Sequence, residues 1–65
     1  MTLDEQIACV CREIAMRALV YPRWVQNGRM TLKQADHEQT AMECVLQTLL
    51  SLKETLDSRA EGKLS

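Results

Sequence analysis

The sequence predicts an all-α fold, an antiparallel two-helix hairpin, and three observations carry that expectation. Strand signals are absent: the chain has one tyrosine, one tryptophan and no phenylalanine, and period-two alternation is never sustained. Helix-start signals occur twice, at Thr2-Leu3-Asp4-Glu5 and Thr31-Leu32-Lys33-Gln34, each with a threonine at the cap and an acid or amide three residues on. Between them stands Asn27-Gly28-Arg29, whose glycine suits the left-handed residue just past a helix end. The 65 residues therefore form one domain: a helix over about 3–27, a turn at 28–31, a helix over about 32–58 and a frayed tail at 59–65.

The first helix is expected to bury Leu3, Ile7, Val10, Ile14, Ala18, Tyr21 and Val25, which share one face at about 100° per residue. Pro22 interrupts it. Proline removes a hydrogen bond and crowds the carbonyl of Ala18, so the helix either bends over 18–22 or stops near Val20. The apolar pattern stays in phase across the proline, which favours a kinked, continuing helix. Met30 is placed to act as the outer half of a hydrophobic staple for the second helix. That helix is expected to bury Ala35, Ala41, Met42, Val45, Leu49, Leu52 and Leu56, in spacings of three and four. A short turn makes the two helices antiparallel neighbours.

More apolar residues are present than one seam needs. Met16, Val20 and Trp24 form a second stripe on helix 1, and Leu46 and Leu50 widen the apolar arc of helix 2. Exposed contiguous patches mark interfaces, and a domain this small gains from extra burial. These five residues are the interface candidates, and a homodimer with a four-helix arrangement is the expectation. The alternatives are that the stripes wait for a different protein, or that Trp24 folds back over Pro22 and Met30.

Composition narrows the function classes. Eight basic and nine acidic residues, net −1, argue against binding nucleic acid by bulk charge. No apolar run approaches the roughly 18 residues of a membrane span, and the start Met1-Thr2-Leu3-Asp4-Glu5 lacks a basic leader. Three cysteines, an odd number without framework spacing, suggest a reducing cytoplasm. Cys9 and Cys11 point roughly 200° apart on a helix, so they do not share a metal; Cys11 is expected at the core edge and Cys9 in solvent. Asp36-His37-Glu38 lacks the second histidine of a zinc-protease helix, since Ala41 stands there. No nucleophile pairing or glycine-rich phosphate loop occurs. The expectation is a protein that is not an enzyme and takes no cofactor or metal.

Charge is unevenly spread. Arg17, Arg23, Arg29 and Lys33 occupy the stretch around the turn without an acid among them, making a basic patch beside Tyr21 and Trp24. A helix-turn-helix reading is weakened by Asp36 and Glu38, which repel phosphates. Glu38 falls inside the expected apolar face and needs a partner; Tyr21 or Arg17 across the hairpin is expected to clasp it and fix the register.

The segment Val20-Tyr21-Pro22-Arg23-Trp24-Val25-Gln26-Asn27-Gly28-Arg29-Met30, followed by Ala35-Asp36-His37-Glu38 and Met42-Glu43, resembles small early proteins of lambdoid phages and prophages encoded between the exonuclease and excisionase genes. The start Met1-Thr2-Leu3-Asp4-Glu5-Gln6 and the length fit that group. The resemblance implies expression early after infection, action in the bacterial host cytoplasm, and effects on the host cell cycle and on the balance of lysogeny and lysis. It carries over no catalytic residues. The leading expectation is a small interaction protein that modulates a host or phage protein; the alternative is a nucleic-acid-associated regulator using the basic turn end.

Overall fold

The computed structural model describes residues 1–64, with side chains through Arg59. Helix α1 spans Leu3–Gln26 and α2 spans Leu32–Leu64. They pack side by side as a hairpin with extents of 56 × 19 × 14 Å. Its radius of gyration is 16.1 Å, against about 11 Å for a compact domain of this length, so the molecule is a rod.

Both helix starts are capped as the sequence predicts. Thr2 Oγ1 accepts from the Glu5 amide at 3.1 Å, and Glu5 Oε1 accepts from the Thr2 amide at 3.2 Å. The second box uses an amide side chain: Thr31 Oγ1 accepts from the Gln34 amide at 3.1 Å, and Gln34 Oε1 accepts from the Thr31 amide at 3.0 Å. Each box satisfies two amides that a helix start otherwise leaves open. The turn closes α1 with a Schellman motif. The Gly28 amide donates to Val25 O at 3.2 Å, and the Arg29 amide donates to Trp24 O at 2.9 Å. Gly28 sits at φ +74°, where a side chain is disfavoured. Met30, just before the second cap, is half-buried.

Helix α1 runs through Pro22 without a break, so the helix does not stop near Val20. The small Ala18 lies where the proline ring crowds the chain. α2 does not end near residue 58; it continues to Leu64. Arg59, Ala60, Lys63 and Leu64 are good helix formers, and a single Gly62 costs only about 1 kcal/mol. The frayed tail expected at 59–65 is therefore helical through Leu64, and Ser65 lies outside the described residues.

The seam on α1 is Leu3, Ile7, Val10, Ile14, Arg17, Tyr21 and Val25, all half-buried. This is the expected stripe with Arg17 in place of Ala18, which is exposed. On α2 the seam is Ala35, Gln39, Met42, Leu46, Leu49 and Lys53. The expectation differs here. Ala41, Val45, Leu52 and Leu56 are exposed, and Leu46, expected outside the seam, lies within it. The seam keeps the alternating three- and four-residue step but includes two polar residues. Gln39 Nε2 donates to Ile14 O at 3.1 Å, and Lys53 Nζ pairs with Asp4 Oδ1 at 2.7 Å. Those contacts, with Arg17 on Glu38, set the register. Leu56 projects past the start of α1, where no opposing helix covers it. Ala35, opposite the turn end of α1, is the most enclosed residue described, at 7% exposure.

Candidate functional site

The hairpin has two long flanks, and their composition differs. A residue directly preceding a seam position falls on one flank in both helices, because helices of one hand running oppositely mirror their steps of about 100°. On α1 that flank carries Met16, Val20 and Trp24, which precede Arg17, Tyr21 and Val25. On α2 it carries Ala41, Val45 and Leu52, which precede Met42, Leu46 and Lys53. Met16 is 49% exposed, Trp24 37%, Val45 42% and Leu52 47%. Val20 is half-buried. These residues and the exposed Cys9 make one flank the more apolar one, interrupted by Gln6, Glu13, Gln34, Glu38 and Thr48, which also directly precede seam positions.

This redraws the interface set. Met16, Val20 and Trp24 lie together as expected. Leu46 is taken by the seam, and Leu50 directly follows Leu49, which puts it on the opposite flank. Their places are filled by Val45 and Leu52. Sequence periodicity missed the exchange because Val45, Leu49, Leu52 and Leu56 make as good an apolar stripe as Met42, Leu46 and Leu49.

At mid-length the apolar strip is crossed by a charged knot. Arg17 Nε pairs with Glu13 Oε1 at 2.8 Å. Its Nη1 donates to the Glu38 backbone carbonyl at 3.2 Å and lies 3.7 Å from Glu38 Oε2. The guanidinium also stands over the Tyr21 ring, 5.7 Å from its centroid, a cation–π distance. The hydrogen bond to Glu13, then the charges around it, hold the Arg17 guanidinium above its ordinary pKa. The expected clasp is thus made by Arg17, the second of the two predicted partners. Tyr21 makes no hydrogen bond to Glu38 among the described contacts; it supports Arg17 and leans on Trp24, ring centroids 5.6 Å apart. Glu38 is not inside the apolar seam. Its side chain is 50% exposed, against 17% for Arg17, because the seam passes through Gln39.

Arg17 is accordingly withdrawn from the basic patch. Arg23, Arg29 and Lys33 remain exposed around the turn, with no ion pair among the described contacts. Cys11 and Cys44 are exposed with free thiols; Cys11 follows Val10 and faces outward rather than filling the core edge. His37 is exposed, and no group of three or more metal-capable side chains forms among the described residues.

The other flank holds a groove of about 510 Å³ beside the turn, between Ala18, Pro22 and Val25 on α1 and Leu32, Ala35 and Asp36 on α2. Small residues on both sides hollow it out. Gln39 adjoins it, and its Oε1 is buried without a hydrogen-bond partner. No helix of the described residues is long and apolar enough to cross a membrane. Comparison of the chain with protein families, curated proteins and solved structures gave no match.

Proposed function

We propose that this protein is a non-enzymatic small phage protein that modulates phage development or host physiology by protein–protein interaction, in the host cytoplasm. The observation that carries the interaction reading is the apolar flank of Met16, Val20, Trp24, Val45 and Leu52. A chain with few Gly and Pro residues, two helices and one tight turn offers little loop from which to build a reactive site, whereas an apolar strip rimmed by charge is what a helical partner surface needs. The phage assignment is supported by the resemblance of the Tyr21-Pro22-Arg23-Trp24-Val25 to Met30 segment to the early proteins of lambdoid phages.

The test is affinity capture of the tagged chain from induced lysogens, with Val45→Asp and Leu50→Asp chains beside it. A specific phage or host protein retained by the unaltered chain and by Leu50→Asp, but lost from Val45→Asp, supports the reading. Equal capture by all three refutes the assignment of the flank. Salt-sensitive retention of DNA or RNA that disappears in Arg23→Glu/Arg29→Glu replaces the proposal with the regulator reading based on the turn.

A further inference from the structure

We propose that the apolar flank is covered by a second copy of this chain, lying antiparallel to the first, so that the working unit is a four-helix dimer with its two turns at opposite ends. The proposal deepens the interaction reading above and rests on it.

Three observations point to the second copy. The first is area. The chain exposes 5258 Å², whereas a compact 7.4 kDa protein exposes about 4,200 Å². The excess, about 1,000 Å² by that scaling, belongs in part to the stretch of α2 that runs past the start of α1; the paired length of the rod still has room for the roughly 800 Å² that each partner contributes to a stable interface.

The second is self-complementarity along the rod. The cross-hairpin contacts of Arg17 with Glu38, Ile14 with Gln39 and Asp4 with Lys53 set Val45 level with Val10 and Leu52 level with Leu3. Met16 and Ala41 then sit near mid-length. A two-fold axis there, perpendicular to the rod, reverses the ends. Val20 and Val45 lie roughly 8 Å to either side of it at 1.5 Å per residue, so Val20 enters one layer with the partner's Val45. Trp24 lies roughly 14 Å on one side and Leu52 roughly 18 Å on the other, within reach of an indole, so Trp24 layers with the partner's Leu52. An isologous interface requires this matching of a surface to its own reverse. The Arg17–Glu13–Glu38 knot falls near the axis, where one guanidinium and two carboxylates leave a net −1 charge in each copy, a repulsive term that the apolar layers on either side must outweigh.

The third is charge. The turn end carries Arg23, Arg29 and Lys33 against Asp36, while the open end carries Asp4, Glu5, Glu54 and Asp57 against Lys53 and Arg59. An antiparallel pairing sets basic end against acidic end. A parallel pairing sets the two basic turns together, which repels.

Sedimentation equilibrium of the full chain from 1 to 100 μM, at low and high salt, tests this, with helicity followed by circular dichroism. The expected result is a monomer–dimer equilibrium that weakens as salt rises. Val45→Asp and Leu52→Asp are expected to keep the helical signal, since both sites are exposed in the single hairpin, and to weaken the dimer about a hundredfold or more. Leu50→Asp, on the other flank, leaves it unchanged. A monomer mass throughout overturns the proposal, as does a dimer sensitive to Leu50→Asp and not to Val45→Asp. A dimer that tightens with salt overturns the antiparallel arrangement. A monomeric chain whose capture of another protein still depends on Val45 rejects the second copy while keeping the flank; loss of both dependences rejects the two readings together.

Discussion

Gly28 offers a perturbation whose cost is conformational alone. Its φ is +74°, and a Cβ built on it meets nothing within 4 Å. Alanine there neither clashes nor loses a contact, so the penalty is that of an L-residue in the left-handed region, about 1–2 kcal/mol. In a domain of this size each kcal/mol moves Tm by about 4–8 °C, so Gly28→Ala is expected to lower it by roughly 5–15 °C. Asparagine tolerates the region better, and Gly28→Asn should lose clearly less. A D-alanine introduced at that position by chemical synthesis reverses the sign, because it favours positive φ and narrows the unfolded ensemble. Thermal melts by circular dichroism at one fixed concentration give all three values. An unchanged Tm in Gly28→Ala, or a D-alanine chain less stable than the L-alanine one, would refute the argument that the Schellman turn demands this conformation.

Other expectations follow from the seam and the knot. Leu46→Ala is expected to cost about 1–2.5 kcal/mol, near half the fully buried range, while Leu52→Ala stays within about 0.5 in chains dilute enough to be single; urea melts rank the pair, and the reverse order contradicts the register. Glu38→Ala should cost no more than about 0.5 kcal/mol, since Arg17 keeps both Glu13 and the Glu38 carbonyl; Arg17→Ala should cost more, because it also removes the half-buried guanidinium that stands over the Tyr21 ring. Gln39→Leu is expected to be neutral or stabilising in the same melts, because removing the buried Oε1 that lacks a partner offsets the loss of the Nε2 bond to Ile14 O. The hydrogen bond to Asp4 raises the Lys53 pKa. A raised lysine contributes fully below its unfolded value and fades only as pH climbs through the folded one, so melts from pH 7 to 9 should show no step from this pair.

The local signals were plain in the sequence and the lateral ones were not. Thr2, Thr31, Gln34 and Gly28 act within a turn of their own position, so short spacing rules identify the caps and the hairpin. The α1 stripe was legible, apart from Arg17 in the place of Ala18, because Leu3, Ile7, Val10, Ile14, Tyr21 and Val25 run in one unbroken line while Met16, Val20 and Trp24 stand to one side of it. On α2 the arc is wide, and hydrophobicity alone prefers Val45, Leu52 and Leu56 to a seam containing Gln39 and Lys53. What selects the true seam is a side-chain amide reaching Ile14 O and an ammonium reaching Asp4, contacts between residues 25 and 49 positions apart. Periodicity within one helix carries no information about them. The same one-position rotation moved Leu46 inward, left Leu52 outside, and so changed which residues make up the candidate surface.

Trp24 is the sole tryptophan and lies on the apolar flank, which makes its emission a direct reporter of what covers that flank. Acrylamide quenching of Trp24, measured from 1 to 100 μM chain, is expected to fall as concentration rises, with the emission maximum moving to the blue. The Val45→Asp chain should stay quenchable throughout. Quenching that is identical at every concentration in the unaltered chain would contradict the claim that this flank is where copies of the protein meet.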